Sequence, residues 1–173
     1  MEADTVLLGP RADVADYRFL TTWIVDAPVD AVWEVVHAIE RWPEWWPGVR
    51  SVDELRAGEG GNGAGAVYRH VWRSRIPYAV RFDVTVTDLS RPHLIKAEAD
   101  GGLAGTGTFR LFESPLGTAV TYDWAVRTTK AWMNAVAPVA RPLFAWNHHA
   151  VMKQGGAGLA AVLAAPLVAQ SSG

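Results

Sequence analysis

Residues 43–48 read PEWWPG, and a further tryptophan, Trp42, stands directly before them. The chain has nine tryptophans in 173 residues, several times the usual share of about one or two per hundred. Such rigid rings bury large apolar areas, and the two prolines fix the backbone around them. Adjacent residues near a helix end point in different directions. We therefore expect one of Trp45 and Trp46 to fill the base of the core and the other to face a cavity, unless both simply pack in the core.

The residues upstream of this segment predict one strand and two short helices. Residues 17–25 are rich in aromatic and β-branched side chains that alternate, which is typical of a strand. Asp26 is a candidate helix cap, Pro28 suits a first helical position, and the apolar spacing then predicts a helix to about Ala38. A second short helix or turn is expected around residues 40–45.

The residues downstream predict strands and then one long helix. Alternation and turn residues indicate strands over 49–55, 66–74, 78–89, 94–99, 105–113 and 118–126. Short turns between consecutive strands are typical of an antiparallel meander. Apolar residues at steps of three and four then predict a long helix, which Pro138 and Pro142 should kink or interrupt near its start.

This order of elements predicts an α+β helix-grip fold. A curved antiparallel sheet of about seven strands, supported by two short helices, would hold the long C-terminal helix over its concave face and leave a cavity between them. We assign residues 1–14 to a loose N-terminal arm, 15–165 to a single domain and 166–173 to a flexible C-terminal tail.

Three segments carry a resemblance to a known family. They are DAPVDAVWEVVHAIERWPEWWPGV at 26–49, GLAGTGTFRL at 102–111 and RPLFAWNHHAVMKQGGAGL at 141–159. The sequence resembles the START-related (SRPBCC) helix-grip superfamily, in particular a bacterial group that is similar to polyketide cyclase-dehydrases and lipid-transport proteins. The resemblance implies the fold; for function it leaves binding, transport and catalysis open.

Composition excludes several classes of function. The formal net charge is −2, and without a basic bias we expect no nucleic-acid partner. The absence of cysteine excludes disulfides, thiolate metal sites and a cysteine nucleophile. The N-terminus lacks the features of a signal peptide and no apolar run reaches about 20 residues, so we expect a cytoplasmic protein with no membrane span. A monomer and a homodimer both remain open.

Strand alternation sorts the side chains into an inward and an outward set. Arginines such as Arg69 and Arg73 rarely face a closed apolar cavity unpaired, so we expect them on the opposite face. The aromatic rings between them would then suit a flat, apolar, polycyclic ligand. The residues predicted to bind the ligand are Trp23, Trp46, Tyr68, Trp72, Tyr78, Phe82, Phe109, Trp124, Phe144, Asn147 and Val151.

Three polar side chains could carry proton transfer in this pocket, namely His70, His148 and Tyr122. In the alternative interpretation the imidazoles only satisfy neighbouring polar groups, as buried polar residues must. We expect no metal site, since His148 and the adjacent His149 cannot both reach one ion from a regular helix. No fingerprint of a nucleotide or other cofactor is present.

The sequence therefore favours one function and leaves two others open. The first is binding of a hydrophobic, aromatic or polyketide-like small molecule in the cavity. The second is a polyketide aromatase or cyclase, in which the cavity shapes a poly-β-keto chain for aldol closure and dehydration. The third is a protein-interaction module of the co-chaperone kind, which would require an exposed apolar patch outside the cavity.

Overall fold

A computed structural model describes residues 16–59, 63–73, 79–129 and 131–173. The strands are β1 Asp16–Val25, β2 Val49–Arg56, β3 Val67–Arg73, β4 Ala79–Ser90, β5 Leu94–Gly101, β6 Leu103–Ser114, β7 Gly117–Thr128 and β8 Leu167–Ser172. The helices are α1 Val29–His37, a 3-10 turn Ile39–Arg41, α2 Trp42–Trp45 and α3 Ala131–Val162. The predicted arm at 1–14 lies outside the described residues.

One antiparallel sheet organises the chain, with the strand order β2-β3-β4-β5-β6-β7-β1-β8. The meander from β2 to β7 follows the chain, as predicted, and β1 joins it beside β7 with Trp23 opposite Val120. Because side chains alternate along each strand, one face collects the aromatic residues. The α+β class, the two short supporting helices and the long C-terminal helix are all confirmed.

The C-terminal residues differ from the prediction of a flexible tail. After α3 the chain reverses at Ala164, which has a φ of 51°, and β8 pairs with the free edge of β1. Backbone hydrogen bonds join the amide of Leu20 to the carbonyl of Gly173 at 2.8 Å and the amide of Gly173 to the carbonyl of Leu20 at 3.0 Å. An unpaired edge of β1 offers these groups partners, and the sheet therefore has eight strands.

Two expectations at helix ends are not met. Helix α3 is not interrupted at Pro138 or Pro142, since it extends from Ala131 to Val162. The N-cap of α1 is Pro28 rather than Asp26, and no side chain caps this end. At the C-terminal end of α1, the indole Nε1 of Trp42 donates a hydrogen bond to the carbonyl oxygen of Val36 at 3.0 Å. This carbonyl group therefore has a partner although it lies at a helix end.

Both tryptophans of PEWWPG are buried, and their rings stack with centroids 5.3 Å apart. The alternative that both pack in the core is thus confirmed. The two rings do not diverge, because α2 ends at Trp45, and Trp46 is already extended, with φ −109° and ψ 98°. The rotation of about 100° per helical residue therefore does not apply between them. Trp46 also donates from Nε1 to the carbonyl oxygen of Val151 on α3, at 2.9 Å.

Three glycines of α3 make room for the rings of Trp46 and Trp23 and for the backbone of Trp45. A Cβ on Gly155 would lie 2.5 Å from Cε2 of Trp46, and one on Gly156 would lie 2.8 Å from Cδ1 of Trp23. A Cβ on Gly158 would overlap the carbonyl oxygen of Trp45. The helix can approach the tryptophans this closely only because these positions have no side chain.

We predict that Gly155→Ala destabilises the protein by about 2 kcal/mol, because the rigid, buried Trp46 ring cannot move away from the new methyl group. Helix propensity alone would predict the opposite sign, a gain of about 1 kcal/mol. Urea unfolding measures the difference. Ala157→Gly, at an exposed position of the same turn, is the control and should cost about 1 kcal/mol. A more stable Gly155→Ala variant would contradict this packing.

Candidate functional site

A cavity of about 170 Å³ lies between the concave face of the sheet and the middle of α3. Strands β3 to β7 form its floor and walls, the start of β1 and Trp42 of α2 contribute to its side, and Phe144 to Met152 of α3 cover it. The lining is mainly apolar and aromatic, as in sites for small hydrophobic molecules. The cavity therefore lies where the sequence analysis predicts it.

The aromatic rings of the wall contact one another in a continuous set. Tyr122 stacks on Phe109 with ring centroids 4.1 Å apart and on Trp124 at 5.7 Å. Phe82 continues the set, with its centroid 6.0 Å from that of Trp124. Trp42 meets Phe109 edge-on at 5.7 Å. A flat guest would meet ring faces and ring edges, which favour offset and T-shaped stacking.

Most of the predicted site residues line this cavity. They are His70, Trp72, Phe82, Phe109, Tyr122, Trp124, Phe144, Asn147, His148 and Val151. They come from strands and a helix far apart in the sequence, and the inward faces of β3, β4, β6 and β7 are those that alternation assigned. Their roles in binding or catalysis stay predictions.

Three predicted ligand contacts are placed elsewhere. Trp23 and Trp46 are buried against each other, with ring centroids 5.4 Å apart, in the core under the helix glycines, and neither lines the cavity. Tyr68 is inward on β3 but packs against the edge of the core instead. Tyr78 lies outside the described residues. Alternation along a strand predicts the face of the sheet on which a side chain lies. It does not predict the position of that side chain along the sheet, and this position determines whether the residue lines the cavity.

The lining also includes Tyr17, Trp42 and Arg73, which the sequence pattern did not single out. Trp42 directly precedes the tryptophan-rich segment 43–48. Its residue type could therefore have indicated that it lines the cavity. Arg73 was assigned to the outer face with Arg69, and its exposure is consistent with that assignment. Arg69 pairs with Asp83 at 2.8 Å, whereas Arg73 is the last residue of β3 and lies at the rim of the cavity.

The imidazole of His70 is 1% exposed and forms part of the cavity wall. Its ring stacks on Phe82 with centroids 5.5 Å apart and planes 7° from parallel. The indole Nε1 of Trp72 donates to its Nδ1 at 3.2 Å. Its Nε2 is buried and has no hydrogen-bond partner among the described residues. Burial lowers the pKa of His70 to about 4, against a smaller opposing effect of Asp83, so the ring is neutral at pH 7.

His148 faces the cavity from α3. Its ring stacks on Phe19 with centroids 3.9 Å apart, and its Nε2 is likewise buried without a hydrogen-bond partner in the described part of the chain. Burial, and after it the neighbouring His149, lowers the pKa of His148 to about 3. The next residue, His149, does not line the cavity, as the helical step predicts.

The third polar group is the phenol of Tyr122. Burial, and to a smaller extent the charge of Asp123, raises its pKa far above the ordinary value of 10. The hydroxyl group therefore keeps its proton at pH 7. It lies close to Gly107, where an added Cβ would come within 3.0 Å of the tyrosine oxygen. Gly107 thus keeps open the part of the cavity next to this hydroxyl.

The described residues contain no group of three or more His, Asp or Glu side chains that could hold a metal ion. Within the same ranges, no helix is long and apolar enough to cross a membrane.

Residues 18–164 match the family described as polyketide cyclase / dehydrase and lipid transport. The chain belongs to this family. No curated protein matches the sequence.

Solved structures agree with the fold. The di-domain aromatase/cyclase BexL from the BE-7585A biosynthetic pathway is similar with a TM-score of 0.68 and 20% identity, over 84% of this chain and 49% of that one. This chain thus spans about half of BexL. The Zhui aromatase/cyclase from Streptomyces sp. R1128 has a TM-score of 0.66 and 16% identity, over 87% and 94%. TTHA0849 from Thermus thermophilus has a TM-score of 0.64 and 17% identity, over 86% and 99%.

The buried imidazoles predict a loss of stability in mild acid. Their pKa values in the folded protein, about 4 and about 3, lie below the ordinary 6.5. At a pH between 6.5 and the folded-state values, the unfolded chain binds more protons than the folded protein does. The free energy of unfolding therefore falls as the pH falls below 6.5. Each imidazole should contribute a loss of about 2 kcal/mol between pH 7 and pH 5. Urea unfolding at both pH values measures this loss.

The paired variant His70→Phe/His148→Phe isolates the effect, because its carboxylates titrate as in the wild type. Its loss of stability between pH 7 and pH 5 should be smaller by about 4 kcal/mol. An unchanged loss would show that the two rings are not held neutral.

Proposed function

We propose that the protein binds a hydrophobic, aromatic or polyketide-like small molecule in the cavity under α3. The observation that carries this proposal is the continuous aromatic wall around a space of about 170 Å³. Aromatic side chains supply large contact areas at a low cost in conformational entropy, and their faces and edges suit a planar guest. The membership of the chain in a family of cyclases and lipid-transport proteins is consistent with such a guest.

The polar groups of the wall support recognition rather than acid–base chemistry. Proton transfer in catalysis is most efficient when the pKa of the acting group lies near the working pH. Burial lowers the pKa of His70 to about 4 and that of His148 to about 3, and it raises the pKa of Tyr122. At pH 7 all three are neutral, so they are weak bases and weak acids that add no charge to the cavity wall.

Cyclisation of a poly-β-keto chain is the second candidate. It is favoured by the three polar side chains that share one aromatic cavity, His70, His148 and Tyr122, and by the description of the family. In this alternative the shape of the cavity would hold the chain in a reactive conformation, and a bound substrate would have to bring at least one of the imidazole pKa values closer to neutrality.

The binding proposal is tested with the neutral fluorescent probe N-phenyl-1-naphthylamine and by native mass spectrometry of freshly purified protein. We expect one probe molecule per chain, with an increase in probe fluorescence as it enters the cavity. Ala97 lines the cavity on β5, whereas the next residue, Glu98, is exposed on the other face. Ala97→Phe should fill the space and weaken binding at least tenfold, while Glu98→Gln should leave it unchanged. Equal binding by both variants would place the probe elsewhere.

The two candidates are separated by a synthetic poly-β-keto chain. Binding alone predicts that this chain is recovered unchanged after incubation. Cyclisation predicts an aromatic product that His70→Phe/His148→Phe no longer forms, although that variant still binds the neutral probe.

A further inference from the structure

The phenol ring of Tyr122 is held at a fixed place in the cavity wall. It stacks on Phe109 with the ring planes 17° apart and on Trp124 with the planes 23° apart. Phe109 lies directly opposite Tyr122 in the pairing of β6 with β7, so the first contact joins two neighbouring strands. The hydroxyl oxygen lies on the axis about which the ring flips, and a flip does not move it. The stacked rings therefore fix the position of this hydroxyl group.

Gly107 shows that the hydroxyl of Tyr122 lies on the cavity side of the sheet. Gly107 pairs with Trp124, and side chains of directly paired residues project from the same face. Both residues line the cavity. A Cβ on Gly107 would project from this face and would lie 3.0 Å from the hydroxyl oxygen of Tyr122. The oxygen is therefore on the concave side of the sheet, toward the cavity.

The hydroxyl of Tyr122 differs from the two imidazoles in its access to the cavity. The Nε2 atoms of His70 and His148 are enclosed by protein atoms. Among the described residues the hydroxyl of Tyr122 also has no hydrogen-bond partner, but its oxygen is not enclosed in this way. Tyr122 is 9% exposed, and its side chain lines the cavity under α3. A molecule in the cavity can therefore reach this oxygen.

The chemistry of a protonated phenol determines which ligand group fits this position. Burial raises the pKa of Tyr122 above its ordinary value, so the O–H donor is present at pH 7. A polar group in an apolar site is costly unless it finds a partner. A carbonyl oxygen is the matching acceptor. When a flat ring system carries this oxygen, the ligand also contacts the aromatic side chains around Tyr122.

We propose that the hydroxyl of Tyr122 is the hydrogen-bond donor that the cavity offers to its ligand, and that it selects aromatic ketones over hydrocarbons of the same shape. This inference rests on the proposed function, since it names the chemical class of the ligand for the same cavity. Tyr122 is then a specificity-determining residue. It donates to a bound carbonyl oxygen, and no covalent bond forms or breaks.

The preference is tested with 9-fluorenone and fluorene, two flat tricyclic molecules that differ only in the carbonyl group. Quenching of tryptophan fluorescence gives both dissociation constants. We expect the wild type to bind fluorenone about fivefold more tightly than fluorene, as one ordinary hydrogen bond would allow. Tyr122→Phe removes the hydroxyl and keeps the ring, so it should bind both molecules equally. A preference that survives in Tyr122→Phe would overturn the inference.

Tyr68→Phe is the matched control, because Tyr68 packs at the edge of the core and does not line the cavity. It removes the same atom from another tyrosine and should keep the preference for fluorenone. If both variants lost the preference equally, the role assigned to Tyr122 would be overturned.

The stability of Tyr122→Phe tests the hydroxyl without any ligand. If this group has no partner in the protein, its removal breaks no hydrogen bond. The midpoint of urea unfolding should therefore be unchanged or higher than in the wild type. A clearly lower midpoint would show that the hydroxyl is bonded within the protein, and this would overturn the inference.

Infrared spectroscopy of bound fluorenone tests the hydrogen bond itself. A donor to the carbonyl oxygen lowers the C=O stretching frequency, so the band should lie lower in the wild type than in Tyr122→Phe. Identical band positions would overturn the inference. Equal binding of fluorenone and fluorene by the wild type would also overturn it and leave the proposed function standing, whereas failure of both molecules and of the neutral naphthylamine probe to bind would overturn the proposed function itself.

Discussion

The close contact between tryptophan rings and helix glycines is the constraint on which this structure depends. Gly155 and Gly156 leave space for Trp46 and Trp23, and the indole of Trp46 is anchored to the carbonyl oxygen of Val151. Indoles give the core a large buried area, but a helix can rest on them only where its own side chains are absent. This requirement fixes the height of the C-terminal part of α3 over the sheet and relates the tryptophan-rich segment to a glycine-rich one more than a hundred residues later.

The cavity follows from the same contact. Where glycines face the indoles, helix and core are tightly packed. Toward the N-terminal side the helix carries Phe144, Asn147 and His148 instead, and beneath them the curved sheet leaves an open space. Helix α3 thus packs against the tryptophan core at its C-terminal end and covers the cavity toward its N-terminal end. The tryptophans of PEWWPG support the site from below, while Trp42, which precedes them, joins its wall.

The electrostatics of the site follow from burial. Its imidazoles are kept neutral because the surrounding rings exclude water, and the phenol of Tyr122 stays protonated for the same reason. The one cation in the described lining, Arg73, lies at the rim, whereas Arg69 on the outer face is paired with Asp83. An aromatic space with uncharged polar groups is typical of sites for hydrophobic small molecules.

The sequence by itself determined the class of the fold, the order of nearly all its elements and the inward face of most strands, because periods of 2 and 3.6 residues are local properties of the chain. It also singled out His70, His148 and Tyr122 as cavity residues. Contacts between distant segments leave no such periodic signal. Only tertiary structure decided four other features, since each depends on which surfaces meet and how closely. They are the pairing of β8 with β1, the burial of Trp46 below the cavity rather than in its wall, the packing of an indole against Gly155, and the hydrogen bond from Trp72 to His70.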